Sequence, residues 1–228
     1  MRKKMEANKI KLKTRDGFEI AADFYSLVNT DAPAVILTHM MPATKDSWKD
    51  FARKLNMSGF HCLAIDLRGH GESQEGPSGF KNYNDQQHQA SIMDIEAAAE
   101  FLVNAGMPLK KIALGGASIG ANLSLQFQSE QNEIKASFLL SPGLDYRGVA
   151  TERLAKKLNE DQAVFLAAGG ENDEYSTETA AKLFSLVKTE NKKLKILKNA
   201  GHGTDMFKED LSLAEEIGDW LKGIYFAA

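Results

Sequence analysis

The sequence predicts an α/β protein: a mostly parallel eight-stranded sheet that opens with an antiparallel hairpin and carries helices on both faces. Three observations predict it. Two alternating apolar runs, Lys9–Lys13 and Phe18–Ser26, are joined by Arg15-Asp16-Gly17, and Asp-Gly between such runs is a strong turn signal. Six further short apolar runs follow, each paired with a longer segment of helical period. No internal repeat, low-complexity tract or long linker divides the 228 residues, so 1–228 reads as one domain.

In order, the six runs are Ala34–His39, His61–Ile65, Lys111–Gly115, Ala136–Leu140, Ala163–Ala168 and Lys193–Leu197. Helices are expected at Asp46–Met57, Gln89–Asn104, Ile119–Ser129, Val149–Leu158, Ser176–Lys188 and Lys208–Ile224. Strand followed by helix followed by strand implies parallel crossovers. Arg68–His88 is a long stretch rich in Gly, polar and aromatic residues, and loops of that length are functional or mobile. Between Leu140 and Ala163 there is room for about one helix, so 141–162 reads as a minimal cap segment. Lys193 and Lys195 alternate with Leu194 and Ile196 as two faces of a last, solvated edge strand, which accounts for the local run of lysines.

Composition excludes several function classes. A net charge of −3 gives no reason to expect nucleic acid or an anionic membrane as partner. The basic start, MRKKMEANKIKLK, has no apolar run behind it, so neither a signal peptide nor a membrane span is expected. Cys62 is the sole cysteine, which leaves no disulfide within the chain; it reads as a small core residue in a cytoplasmic protein. The five histidines show no ligand spacing such as H-E-x-x-H, and no metal or cofactor is expected.

In a sheet of this kind, ligands bind beyond the carboxyl ends of the strands. That rule selects His39–Pro42, Asp66–Gly71, Gly116–Gly120, Ser141–Asp145, Gly169–Asp173 and Gly201–Gly203. The most informative is KIALGGASIGANLSLQFQSE (111–130), where Ser118 has a glycine two places to either side. A phosphate loop would need Lys and then Ser or Thr after its final glycine; Ala121 and Asn122 stand there instead. A dinucleotide fingerprint would need the first strand–helix turn and an acidic residue ending the next strand, where Leu140, Ser141 and Pro142 lie. Two readings stay open on this segment alone, a helix cap and a nucleophile.

The nucleophile reading makes further demands that the sequence meets. A sharp strand-to-helix turn needs small residues two before and two after the serine, and Gly116 and Gly120 are there. An acid and then a histidine must follow at later strand ends. Ala163–Ala168 runs into GGEND, which delivers Asp173, and Lys193–Leu197 runs into NAGHG, which delivers His202. An oxyanion site is also required; its donors are expected to be the amides of Ile119 and Met41.

The chain therefore resembles the α/β-hydrolase fold family, from the hairpin to the final helix. The residues that carry the resemblance are HMMPA (39–43), DLRGHGES (66–73), GASIG (116–120), GGEND (169–173) and AGHG (200–203). It implies a lidless serine esterase of the dienelactone-hydrolase-like or carboxylesterase branch, with Ser118, Asp173 and His202 as catalytic triad. Many members have His-Gly after the third strand, whereas this chain has His39-Met40-Met41. Dienelactone-hydrolase-like members also lack that glycine but use a cysteine nucleophile, so Ser118 favours ester cleavage.

Asp145 also follows a strand end and is the alternative acid, or else a turn residue. His39 is expected to brace the oxyanion loop, and His70 to shape its own. Met40 and Met206 are candidates for contact with the acyl group, core packing being the alternative. The expected function is hydrolysis of short-chain or aryl carboxylic esters, small-molecule substrates that suit an open site. Thioesterase, peptidase or lactonase chemistry on the same triad is the alternative, as is a non-catalytic member that binds a ligand. Oligomeric state is not legible.

Overall fold

A computed structural model describes residues 6–226. The hairpin forms as β1 (Asn8–Lys13) and β2 (Glu19–Tyr25), paired antiparallel with Leu12 opposite Ile20. Then come β3 (Ala34–Thr38), β4 (His61–Ile65), β5 (Ile112–Ala117) and β6 (Ala136–Leu140). A two-stranded ribbon follows, β7 (Asp145–Tyr146) with β8 (Val149–Ala150), and then β9 (Ala163–Ala168) and β10 (Lys192–Ile196). The eight long strands form one sheet in the order β1-β2-β4-β3-β5-β6-β9-β10, parallel from β4 to β10.

Strand periodicity decides which helix each residue meets. Val35, Leu37, Phe138 and Phe165 face α1 (Lys49–Met57) and α8 (Leu211–Tyr225), where Trp48, Phe51, Leu55, Ile217 and Leu221 complete the core. Their neighbours Ile36, Leu114, Leu139 and Leu166 face the other way. On that side lie α3 (Ile92–Asn104), α4 (Ile119–Glu130), α5 (Glu152–Lys157) and α6 (Glu174–Leu186). Both faces of the central strands are thus covered, which is why they read as unbroken apolar runs. β10, at the open edge, keeps three lysines.

Three expectations are corrected. The helix predicted from Val149 starts at Glu152, because Val149 and Ala150 pair with Asp145 and Tyr146 instead. Arg147 and Gly148 both take positive φ, 56° and 80°, and Asp145 Oδ1 accepts the Gly148 N–H at 2.7 Å, closing a two-residue turn. Within 68–88, α2 (Asp85–Gln89) forms on a capping box between Asn84 and Gln87. The last predicted helix is broken at Asp210 into α7 (Met206–Glu209) and α8, and Asp210 caps α8 by accepting the Ser212 N–H at 2.8 Å.

A buried ionic cluster occupies the turn after β4. Asp66 Oδ1 accepts the Lys45 N–H at 2.7 Å; Oδ2 accepts Lys45 Nζ at 3.1 Å and the Glu72 N–H at 2.9 Å. Arg68 bonds Asp94 Oδ1 through Nε (2.9 Å) and a terminal nitrogen (2.8 Å), and reaches Asp16 in the β1–β2 turn at 2.8 Å. The cluster thereby fastens the N-terminal hairpin to the parallel half of the sheet.

Candidate active site

β5 ends at Ala117 and α4 begins at Ile119, so one residue, Ser118, makes the whole turn. Its backbone sits at φ 55°, ψ −120°, a conformation that costs an L-residue about 1 kcal/mol or more. The turn survives because its surroundings hold it. Ser118 N–H donates to the Leu140 carbonyl at 2.9 Å, tying the turn to the end of β6. A Cβ on Gly116 would lie 2.2 Å from the Gly120 carbonyl oxygen, and one on Gly120 would lie 2.4 Å from that of Thr38. Both positions must be glycine for α4 to descend onto the end of β3. Thr38 Oγ1 stitches the same junction, within hydrogen-bond distance of the Gly120 and Gly115 carbonyls and Ser124.

The cap alternative for Ser118 fails on geometry, since its side chain makes no capping hydrogen bond. The residue as a whole is half-buried. Among the described residues, the Ile119 and Met41 amides donate to no protein acceptor. Ile119 is the first residue of α4, where helix geometry leaves the amide unpaired.

Asp173 and His202 come from the ends of β9 and β10 and meet directly, His202 Nδ1 lying 2.8 Å from Asp173 Oδ1. That contact assigns the proton to Nδ1 and leaves Nε2 as the free ring nitrogen. Burial alone would raise the Asp173 carboxyl, but the His202 ring and the hydroxyls of Ser141 and Ser176 outweigh it, holding it below the ordinary carboxylate value. Its Oδ2 is buried and has no hydrogen-bond partner among the described residues. Ser141, at φ 50° and fully buried, also accepts the Gly203 N–H at 2.7 Å, which anchors the histidine loop. Gly203 in turn abuts Ala117, beside Ser118. Ser118 and His202 are not joined by a direct hydrogen bond, and pairs of this kind tighten only when a reacting group sits between them.

Asp145 lies apart from this contact, exposed and engaged with the Gly148 amide in the ribbon turn. His39 spans two loops: its Nδ1 is 2.9 Å from the Met40 carbonyl, and its Nε2 accepts the Leu67 N–H at 3.0 Å. Burial, with His70 alongside, drives its pKa down to about 3, so it stays neutral and serves as a brace. His70 is stacked on Phe80 at 4.0 Å and bonds the Arg68 carbonyl at 2.9 Å. Met40 is partly exposed, with its sulfur against Gly203, and so borders the site. Met206 is corrected: it is fully buried in the core beside Leu213 and Ile217, with no surface for a substrate.

Ser141 stands within the strand end that the sequence selects, at 141–145, but with no role assigned to it there; Ser176, inside α6, carries no sequence signal. Among the described residues, no group of three or more His, Cys, Asp or Glu could hold a metal, and no helix is long and apolar enough to cross a membrane.

The sequence profile of the α/β-hydrolase fold matches residues 33–163. No curated protein matches the chain. Similar solved structures include an esterase of Pyrococcus furiosus, 18% identical, covering 96% of this chain and 92% of its own, with a TM-score of 0.78. An esterase domain of a Rhodothermus marinus protein is also 18% identical, covering 95% of this chain and 98% of its own, with a TM-score of 0.74. An α/β hydrolase from Penicillium, 18% identical, covers 96% of this chain and 99% of its own, with a TM-score of 0.76. At these identities the likeness is one of fold.

Proposed function

This chain belongs to the α/β-hydrolase fold family, and on that premise we propose that it cleaves carboxylic esters as a serine hydrolase. The observation that carries the reading is the 2.8 Å contact of His202 with Asp173, beyond the carboxyl ends of the strands, where Ser118 occupies a strained strand-to-helix turn. In the reaction, His202 Nε2 takes the Ser118 proton as Oγ attacks the ester carbonyl, and Asp173 holds the imidazole in its tautomer and stabilises the imidazolium. The Ile119 and Met41 amides receive the oxyanion. The alcohol leaves with a proton from His202, and water then releases the acid from the acyl-enzyme.

Segment 141–162, with its short ribbon and one-and-a-half-turn helix, acts as a minimal cap and leaves room for short-chain or aryl esters. Two of the fold neighbours carry the word esterase in their names, which fits this substrate class. The reading places the enzyme in the cytoplasm, where Cys62, buried and with its thiol pKa pushed up, persists unmodified.

Hydrolysis of p-nitrophenyl acetate by the wild type and by Ser118→Ala tests the reading. Turnover is expected to fall by at least about 10⁴-fold in the variant, with the fold intact by circular dichroism. Equal rates would sink the assignment. A panel of acyl chain lengths, with thioesters and amides beside them, then sets the substrate class.

A further inference from the structure

Asn122 lies one helical turn beyond Ser118, and it clamps the β7–β8 ribbon over the start of α4. Its Oδ1 accepts the Gly143 N–H at 3.0 Å, while its Nδ2 donates to the carbonyls of Gly143 (3.0 Å) and Val149 (2.8 Å). Thr151 Oγ1 adds a bond to the Gly143 carbonyl at 2.8 Å. These anchors bracket Tyr146 on both sides. Its ring lies directly on Gly143, where a Cβ would come within 2.5 Å of it, and meets Tyr175 edge-on at 5.8 Å. Its hydroxyl is 3.2 Å from Ser176 Oγ. That serine stands three residues beyond Asp173, and the Tyr146 ring packs against the apolar cluster that includes Ile119, the residue after Ser118. A phenol fixed by this many contacts, beside the start of α4 and the residues that follow Asp173, is placed for chemistry.

We propose that Tyr146 is a further catalytic residue, whose O–H donates a hydrogen bond to Ser118 Oγ and stabilises the charge that gathers there as the acyl-enzyme is hydrolysed. The proposal rests on the reading of Ser118 as the acyl carrier. In that step water adds to the acyl carbon and gives its proton to His202 Nε2. The bond between that carbon and Oγ then breaks, the electron pair passes to Oγ, and His202 returns the proton to it. Tyr146 keeps its own proton throughout, so no further acid or base is required. Burial raises the phenol above its ordinary value and Asp173 adds to this, although the Ser176 and Ser118 hydroxyls pull the other way. The group therefore stays a donor through the neutral range. Ser176 Oγ, 3.2 Å away, orients the phenol; with Ser176 as the donor, the phenolic proton is left for Ser118.

Deacylation should depend on this bond more than acylation does. An alkoxide is a poor leaving group and gains from a donor, whereas p-nitrophenolate leaves without help. Stopped-flow hydrolysis of p-nitrophenyl acetate by the wild type, Tyr146→Phe, Ser176→Ala and Ser118→Ala separates the steps. In Tyr146→Phe, steady-state turnover is expected to fall about 10- to 100-fold, the worth of one hydrogen bond to a charged atom. A burst approaching one nitrophenol per enzyme should accompany it, with the acetyl-enzyme visible by intact mass. Ser176→Ala should shift both readouts the same way by a smaller factor, and neither variant should move the unfolding midpoint by more than a few degrees.

Unchanged turnover in Tyr146→Phe, or slower turnover with no accumulated acyl-enzyme, overturns the role. If Ser118→Ala is inactive while Tyr146→Phe matches the wild type, the tyrosine role alone falls. If the wild type itself hydrolyses no ester, the esterase reading falls and the tyrosine role with it.

Discussion

Two polar clusters sit side by side at the carboxyl edge of the sheet, and they are built on opposite plans. After β4, Asp66 and Arg68 are buried, and protein groups claim them: Asp66 accepts three hydrogen bonds, and Arg68 grips Asp94 and Asp16. After β5, the turn is strained, and the Ser118 side chain makes no cap bond while the Ile119 and Met41 amides donate to no protein acceptor. Charge alone does not mark the reactive end of this molecule. The denser ionic cluster is the structural one, because its bonding capacity is spent internally. Unspent donors beside a strained serine are what a substrate can use.

The contrast can be broken from either side. The largest effect is expected at the proposed triad acid. Asp173→Asn should lower turnover by about 10⁴-fold by favouring the wrong imidazole tautomer, whereas Asp145→Asn should change it by less than about twofold. Paired esterase assays check both, and a loss confined to Asp145→Asn would move the acid to the ribbon. In the ionic cluster the effect should appear in stability. Lys45→Met strands the buried Asp66 carboxylate, and urea denaturation should show a loss of about 3 kcal/mol with turnover near wild type. A large drop in turnover at unchanged stability would erase the distinction between the two clusters.

Ser118→Gly sharpens the comparison further, since it removes the side chain and the strain together. Activity should vanish while stability rises by about 1 kcal/mol, read by the same denaturation. A destabilised Ser118→Gly would show that the turn is not strained. The smallest effect is at Asp16, whose carboxyl is lowered to about 2 by its hydrogen bonds to Arg68 despite partial burial. A carboxyl depressed in the folded state stabilises above its unfolded value near 3.9 and loses that contribution as pH falls towards 2. Asp16→Asn should therefore cost about 1 kcal/mol at neutral pH, discounted for solvent, and progressively less between pH 4 and 2. A cost that does not shrink with acid would rule out the ion pair as its source.

Much of this arrangement is legible in the sequence, because the succession of strands and helices and the Ser118, Asp173, His202 order rest on local signals. Gly116 and Gly120 mark a tight turn wherever they occur, and a strand end followed by Gly-Gly-x-x-Asp places a carboxylate without knowledge of the rest. What the sequence hides depends on contacts between distant segments. Asn122 is an ordinary helical residue until Gly143 and Val149 are known to lie against it. Tyr146 belongs to a ribbon that Arg-Gly, an uncommon turn pair, does not announce. Met206 could be assigned to pocket or core only once α8 was seen packed over it.

The clamp on the ribbon has a consequence for how this scaffold could change over evolutionary time. Its roots at Gly143, Val149 and Thr151 are fixed to α4 and to each other, while its tip at Arg147–Gly148 is solvent-exposed. Each doubling of a loop's length costs only about 0.6 kcal/mol in closure entropy. The tip is thus a grafting port: added residues there could build a roof or a new specificity wall while the roots keep their register. Growth of this kind would add a lid while the Ser118 turn stays as it is.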